Sequence, residues 1–587
     1  MIVRFCGIAG DGIVTSGRLL AQACASIGLD LMVNDSFGAE IRGKGKSSST
    51  IRFSSRRVQS MGDGIDALVA MAPAESILEM ENLGEGGCVL YDEEGQAPDK
   101  AEKITDHVPA GISAYGIPLK SLANQATGSN QGRNLVAVGA LCHLLGLPAG
   151  AFIELIRRQF KKKGDRIVEA NLKSFRLGHA YGTEHVPVHG DLEIREPTTN
   201  RKIVTGNQAL ARGAIDCGLQ FFGGYPITPA TPIMEMIARE LPKLGCWVHQ
   251  AEDEIAAIGA VLGAFYAGKR AMTATSGPGL ALMSEMINMA VMSEIPAVIV
   301  DVQRGGPATG LPTKVEQSDL NIALYGGAGD SPRVVMAPST CSECYTGIQL
   351  AFDLAEKYQT PVLFLSDLFL ANRVVTTHIE EKIDRGRDVR KRPTDEELKD
   401  YRRYRITPDG VSPLVVPGEE GAYYTITGLE HSEYGNPNYQ VEVHREMTEK
   451  RFRKFDAMLA DTPPAEIIGD EDAEIGFASW GSPIGAIVEG MEIARKQGIE
   501  SKLIKSLMIH PQPEGAFRSF FASCRKIIIP EMNYQGQFAA LMKSRYGIQP
   551  IEMHLPGVWP VSPAEIADKI SEVHHEIVEE TARVGSH

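Results

Sequence analysis

Gly223-Gly-Tyr-Pro-Ile-Thr-Pro-Ala-Thr-Pro232 is the stretch on which the fold turns. It follows a short, mostly apolar run, Leu219 to Phe222, and precedes an amphipathic run, Ile233 to Leu241. A strand therefore ends and a helix begins here. In open α/β sheets, ligands bind at the carboxyl ends of the strands. Prolines stiffen the turn around two hydroxyls, Thr228 and Thr231. A rigid connection with a threonine N-cap would use the same residues, so a functional reading depends on what surrounds the stretch.

Downstream, Trp247-Val-His-Gln250 reads as the next strand, followed by Glu252-Asp-Glu254 and a long apolar helix, Ile255 to Gly268. Small residues recur in that helix and predict close packing. Glu254 stands at the helix start, where the dipole favours an anion. Arg270 to Thr275 reads as a strand and Ser276-Gly-Pro-Gly279 as a turn into the helix Leu280–Met292. Pro296 to Val302 is a strong strand ending at Gln303-Arg304, and a loop carrying Lys314 runs on to Gln317. Arg304 at a strand's carboxyl end suits bidentate binding of a carboxylate; pairing to a nearby acid would suit it equally. These elements make an α/β domain over residues 201–375.

Upstream, residues 1–184 read as a separate α/β domain. Its first strand, Ile2 to Gly7, and first helix, Ile13 to Ile27, flank Gly7-Ile-Ala-Gly-Asp-Gly12. A glycine turn there can cradle a phosphate, but the spacing departs from the dinucleotide fingerprint. Gly38-Ala-Glu-Ile-Arg-Gly-Lys-Gly-Lys46 sets Arg42, Lys44 and Lys46 among glycines, which suits an anionic ligand or a solvated surface loop. Residues 185–200 lose apolar periodicity and read as a linker. Residues 376–465 form a charged connecting segment with a helix over Glu442–Asp456. Residues 466–587 form a third α/β domain closed by a helix from Pro563 to Ala582.

Composition narrows the function. The chain has 587 residues and a formal net charge of -15, which argues against a nucleic-acid surface. No run of about 18 uncharged apolar residues exists to span a membrane. The start lacks a signal-peptide pattern, so a cytoplasmic location is expected. Nine cysteines are scattered, and only Cys341-Ser-Glu-Cys344 has ligand-like spacing. One pair is half the set that a structural zinc or cubane cluster takes, so no metal site is expected in this chain. Gly10-Asp-Gly12 with Asn34, and Gly62-Asp-Gly64 with Asn82, imitate a diphosphate–magnesium motif but lack its second asparagine.

Six ordered stretches carry a resemblance: Tyr225-Pro-Ile-Thr-Pro229, Glu254 to Ala264, Thr275-Ser-Gly-Pro-Gly279, Gln303 to Thr313 with Glu316-Gln317, Thr427-Gly-Leu-Glu-His431, and Glu531-Met-Asn533. Together they resemble the 2-oxoacid:ferredoxin oxidoreductases, with residues 1–184 similar to the gamma domain, 201–375 to the thiamine-pyrophosphate pyrimidine domain, and 466–587 to a transketolase-C-like domain. The resemblance implies a fused gamma–alpha subunit. It implies that Glu254, with Tyr225 and Pro226 beside it, binds thiamine pyrophosphate. Thr228 would contact the 2-oxoacid and Arg304 would grip its carboxylate, with Lys314 as a second anionic contact. Gly10, Arg42, Lys44 and Lys46 become candidates for coenzyme A.

In split members of the family the [4Fe-4S] cluster and the magnesium–diphosphate site belong to a beta subunit. A partner chain is therefore expected, in an (alpha–beta)2 heterotetramer that passes electrons to ferredoxin. The substrate expected from the fused layout is 2-oxoglutarate, converted with coenzyme A to succinyl-CoA. Pyruvate or a broad range of 2-oxoacids is the alternative. A non-catalytic nucleotide-binding scaffold and a nicotinamide dehydrogenase are the rivals from other classes.

Overall fold

The computed structural model describes residues 1–8, 10–37, 46–95, 103–190, 192–194, 201–379, 383, 387–555 and 557–585. The chain is α/β, with one eight-stranded, one seven-stranded and one five-stranded sheet. It divides into two compact units. The first comprises Met1–Val204 with Arg373–His378, and the second comprises Thr205–Asn372 with Ile379–His587.

In the first unit, Ile2–Ile8 lies at mid-sheet, parallel to Ile65–Ala70 on one side and antiparallel to Lys46–Ser54 on the other. Leu83–Asp92 and Ser113–Ile117 extend the parallel side. Asp30–Phe37 extends the antiparallel side and pairs with Val374–His378, which returns after most of the second unit's first sheet has been laid down. Apolar faces of the helices Ile13–Ser26, Arg133–Leu144 and Ala149–Phe160 bury one side of the sheet. The helix Asp165–His185 packs so tightly on Arg133–Leu144 that a Cβ at Gly178 would lie 2.0 Å from the Val136 carbonyl.

The second unit holds the seven-stranded sheet, in the order Met508–His510, Val334–Met336, Pro361–Asp367, Ala297–Gln303, Ala271–Thr275, Phe221–Gly224, Trp247–Gln250. All neighbours are parallel except the edge strand Met508–His510. Strands buried on both faces read as continuous apolar runs, and Ala297–Gln303 is buried along its whole length. From Phe221–Gly224 the chain goes first to one side, to Trp247–Gln250, and then crosses to the other, to Ala271–Thr275. That reversal is a topological switch point, which opens a crevice outside the strands' carboxyl ends. The five-stranded sheet is parallel apart from its edge strand Glu466–Gly469.

The charged segment is more ordered than its composition suggests. Its helix, Val441–Met458, buries Lys450 and Lys454. Cys341 and Cys344 are buried in the first turn of the helix Cys341–Tyr358, which Thr340 caps by accepting the Glu343 N–H at 3.1 Å. No group of metal-ligating side chains is found among the described residues, and no described helix is long and apolar enough to cross a membrane.

Candidate active site

Four turns follow the parallel strands at the switch point, and those after Phe221–Gly224, Trp247–Gln250 and Ala297–Gln303 carry the sequence-predicted Thr228, Glu254 and Arg304. The turn after Phe221–Gly224 is locked from several directions. The Thr231 N–H and hydroxyl both donate to the Ile227 carbonyl, at 3.0 and 3.1 Å. The Asn207 side-chain amide donates to the Pro229 carbonyl at 3.0 Å, and the Thr228–Pro229 peptide is cis. Thr231 is thus the first helical residue, bonded backward, with Ala230 at the N-cap position; a threonine N-cap is not what holds this turn. With its backbone so pinned, Thr228 leaves its side chain exposed, beside exposed Tyr225 and Pro226.

Glu254 opens the helix Glu254–Tyr266 after Trp247–Gln250, but the cap is Asp253, whose carboxylate accepts the Ala256 N–H at 2.7 Å. Asp253 therefore satisfies the helix end and leaves the Glu254 carboxylate free for other work. The residue as a whole is 6 % exposed, and its side chain faces the turn after Ala271–Thr275. A Cβ on Gly279 would lie 2.8 Å from Glu254 Oε1 and 2.0 Å from Thr275 Oγ1. Only glycine fits there, and its bare backbone leaves a cradle against a buried acid. A ring nitrogen with a hydrogen to share would find an acceptor in that carboxylate.

Arg304 follows Ala297–Gln303 and is 7 % exposed. Its Nη1 donates to the Thr228 carbonyl at 2.6 Å, which joins two of the predicted site residues directly. Its Nε is buried and finds no acceptor. Burial lowers the guanidinium pKa, while the charge of Asp319 opposes that shift. A desolvated, half-satisfied guanidinium at the crevice is primed for a carboxylate.

The loop that follows is closed on itself: Gly305 N–H donates to the Lys314 carbonyl at 2.9 Å, and Leu311 N–H to the Gly305 carbonyl at 2.8 Å. Gln303 fixes its start by donating to the Ser366 carbonyl at 3.1 Å and accepting the Asp319 N–H at 3.2 Å. Gln317 fixes its end, donating to the Trp480 carbonyl at 3.0 Å and exchanging bonds with Met532 and Asn533. The Glu531-Met-Asn533 motif thus anchors the Arg304 loop rather than touching the crevice. Lys314 extends its ammonium over the Trp559 ring, 4.4 Å from the centroid.

In the first unit, Gly10 has φ +103° with open space where a Cβ would be, and Gly12 has φ +80° with its Cα side against Asn134. The Asp11 carboxylate accepts the Ile8 N–H at 3.1 Å and pairs with Arg133 at 3.0 Å. It is therefore tied to the turn by both contacts. Lys46 begins the strand Lys46–Ser54, opposite Ile8, and pairs with Glu79 at 2.6 Å. Arg42 and Lys44 lie outside the described residues.

Sequence reasoning missed Asp253, Asn207 and the pair Asp301–Asp319. For the last, a signal existed: an aspartate inside Ala297-Val-Ile-Val-Asp-Val-Gln303, where every neighbour is apolar. Asp301 is wholly buried, and burial together with the charge of Asp319 raises its pKa well above the ordinary value. Asp319 is pushed up to about 6, by burial first and by Glu316 second.

Comparison with known proteins bears on the family and the fold. The family described as pyruvate flavodoxin/ferredoxin oxidoreductase, thiamine diP-binding, matches residues 212–450. The family described as pyruvate ferredoxin/flavodoxin oxidoreductase matches residues 2–181. The chain is 30% identical to the 2-oxoacid:ferredoxin oxidoreductase 2 subunit alpha of Aeropyrum pernix, covering 93% of each chain. It is 31% identical to the 2-oxoglutarate oxidoreductase subunit KorA of Mycobacterium tuberculosis, over 93% of this chain and 87% of that one. Among solved structures, the 2-oxoglutarate:ferredoxin oxidoreductase from Magnetococcus marinus, with 2-oxoglutarate, coenzyme A and succinyl-CoA bound, superposes with a TM-score of 0.92 at 39% identity, over 97% of this chain and 99% of that one. With relatives at 30% identity or more matched along nearly their whole length, the chain belongs to the 2-oxoacid:ferredoxin oxidoreductase family.

Proposed function

We propose that this chain is the fused gamma–alpha subunit of a 2-oxoglutarate:ferredoxin oxidoreductase, which decarboxylates 2-oxoglutarate oxidatively with coenzyme A to succinyl-CoA. The observation that carries the reading is the buried Glu254 carboxylate facing the Gly279 cradle, with Arg304 and Thr228 joined at the same crevice. Glu254 suits the role of holding an aminopyrimidine nitrogen of thiamine pyrophosphate, flanked by Tyr225 and Pro226. When bound, that cofactor supplies the electron sink that lets carbon dioxide leave a 2-oxoacid. Arg304 orients the substrate carboxylate, and Thr228 offers its hydroxyl to the keto group. Lys314 is the candidate for the second carboxylate of 2-oxoglutarate, and Trp559 holds its side chain in place meanwhile. The 2-oxoglutarate substrates named for relatives support this choice over pyruvate.

The turn at Gly10, with Lys46 and the Arg42 and Lys44 loop, is proposed for coenzyme A. A separate beta subunit is assigned the [4Fe-4S] cluster, the magnesium–diphosphate site and delivery of electrons to ferredoxin.

The test is a co-expressed complex assayed with coenzyme A, an electron acceptor and a panel of 2-oxoacids. The expected result is a kcat/KM for 2-oxoglutarate at least about tenfold above that for pyruvate, which corresponds to ~1.4 kcal/mol; equal values would assign a broad-specificity enzyme. The chain purified alone is expected to be colourless and inactive. Glu254→Gln in the assembled complex is expected to cut turnover by about 10²–10⁴, the usual range for loss of proton-transfer catalysis. Full activity in that variant would favour a scaffold role.

A further inference from the structure

The crevice contains more acid than the proposed chemistry uses. Neither carboxylate oxygen of Asp301 meets an N–H or O–H donor, and Asp319 Oδ2 is likewise buried without one. Asp301 and Asp319 lie near enough for each to shift the other's titration, and two carboxyls can bond to one another only with a proton between them. Asp319 stands against the start of the Ser276–Gly279 turn, where a Cβ on Gly277 would lie 2.6 Å from Oδ1. Its backbone N–H is fixed by Gln303. Among the described residues, the charged groups that act on Asp319 besides Asp301 are Arg304 and Glu316. The Glu316 carboxylate is already occupied by the Gly306 N–H at 3.1 Å and the Ser318 hydroxyl at 3.2 Å. Gly277 brings no charge from the facing turn.

Arg304 is the pair's electrostatic complement. It is desolvated, its Nη1 is committed to the Thr228 carbonyl, and its Nε lacks an acceptor. Two carboxylates in contact cannot both ionise at modest cost. With one shared proton, the pair carries a single negative charge that balances the guanidinium. A substrate carboxylate that takes over Arg304 leaves Asp319 without its counter-charge and beside a new anion. A second proton on the pair restores neutrality: before binding the charges are one negative on the pair and one positive on Arg304. After binding they are one positive on Arg304 and one negative on the substrate, with the pair uncharged.

We propose that Asp301 and Asp319 are a proton-holding positioning pair for Arg304, sharing one proton in the free site and taking a second from solvent when the carboxylate of a 2-oxoacid docks. The proposal rests on the reading of Arg304 as the substrate's carboxylate anchor.

It is tested in the assembled two-chain complex by measuring the KM for 2-oxoglutarate, and the Ki for the non-reacting inhibitor glutarate, across neutral to alkaline pH. Linkage requires both constants to rise with pH, approaching about tenfold per unit while the free pair holds one proton and the occupied pair two. Asp319→Asn, neutral at every pH, is expected to flatten both profiles, and Asp319→Glu to restore the rise. Asp301→Asn supplies a permanent donor in place of the shared proton and is expected to move the rise to lower pH. Flat profiles in the unmodified complex, or an unchanged slope in Asp319→Asn, would overturn the pair's role. Arg304→Lys separates this from the underlying reading: it is expected to raise KM and Ki at least about tenfold, ~1.4 kcal/mol. If it leaves both unchanged, Arg304 is not the anchor.

Discussion

Two glycines and an arginine decide how the crevice works. Gly279 has no room for a methyl group, because its Cβ would collide with Thr275 Oγ1 and Glu254 Oε1. Gly279→Ala is therefore expected to push the Glu254 carboxylate aside and lower turnover of the assembled complex by about 10²-fold, the scale of loss for a misplacement near 1 Å. Activity close to the unmodified level would mean that Glu254 has slack in its position. Gly277 gives Asp319 its place by the same absence of a side chain. At this scale the sequence marks which residues stand at strand ends and says little about how they are held. Glu254, Thr228 and Arg304 stood out because each follows a strand. The bond from Arg304 to the Thr228 carbonyl spans 76 positions, and nothing in local pattern marks such a contact. Asp253 hid beside Glu254, since two consecutive acids at a helix start fit the cap equally well until backbone geometry separates them.

Among the elements, the helix Gly277–Met292 is the one whose two ends do different things. Its first turn faces Glu254 and Asp319, while just beyond its last turn Glu294 is wholly buried between Lys450 and Lys454, each with a 2.5 Å ion pair to it. Burial alone would raise the Glu294 pKa, but Lys450, Lys454 and Arg403 outweigh it and hold the carboxyl far below its ordinary range. Stability from this group is thus present above the unfolded value near ~4.3 and is lost as pH falls below it. Lys450 works in the other direction. Burial lowers its pKa to about 7, so the folded state releases a proton that the unfolded chain keeps up to ~10.4, and its contribution grows as pH rises through that window. Glu294→Gln leaves two buried ammonium groups facing no carboxylate and is expected to destabilise the second unit by about 3–5 kcal/mol, read as a lower urea midpoint. An unchanged midpoint would show that the lysines discharge at little cost. The same helix end explains the Thr427-Gly-Leu-Glu-His431 motif: His431 Nε2 donates to the Met292 carbonyl at 3.1 Å, and Glu430 accepts from Arg451 at 2.9 Å. The sequence reads as a charged connecting segment with a helix over Glu442–Asp456, and does not show that two of its lysines are buried, because a lysine in a helix ordinarily points to water. The partner of Lys450 lies 156 residues away.

Strand periodicity and glycine turns made the parallel sheets legible across the whole molecule, since a doubly covered strand is apolar throughout. Late-joining strands were not legible: Val374–His378 is too short and too ordinary to announce that it belongs with residues far upstream, and Met508–His510 joins the seven-stranded sheet in the same way. The first of these has a consequence for how the protein is made and how it breaks. Six of the seven strands of the second unit's larger sheet leave the ribosome before Val374–His378 can close the first unit's sheet, so the amino-terminal unit is the first begun and not the first finished. Until then Asp30–Phe37 presents an open edge, the kind of surface to which other chains add. In the mature protein the dependence turns into a fastening. Arg201 pairs with Asp30, and Thr376 accepts the Leu31 N–H at 3.1 Å. A protease site engineered between residues 190 and 201 should therefore give two bands on a denaturing gel and one peak in native size-exclusion chromatography. Separation of the pieces without denaturant would mean that these strands contribute little. A cut there would leave the first unit's sheet still paired to a strand that comes from beyond the cut.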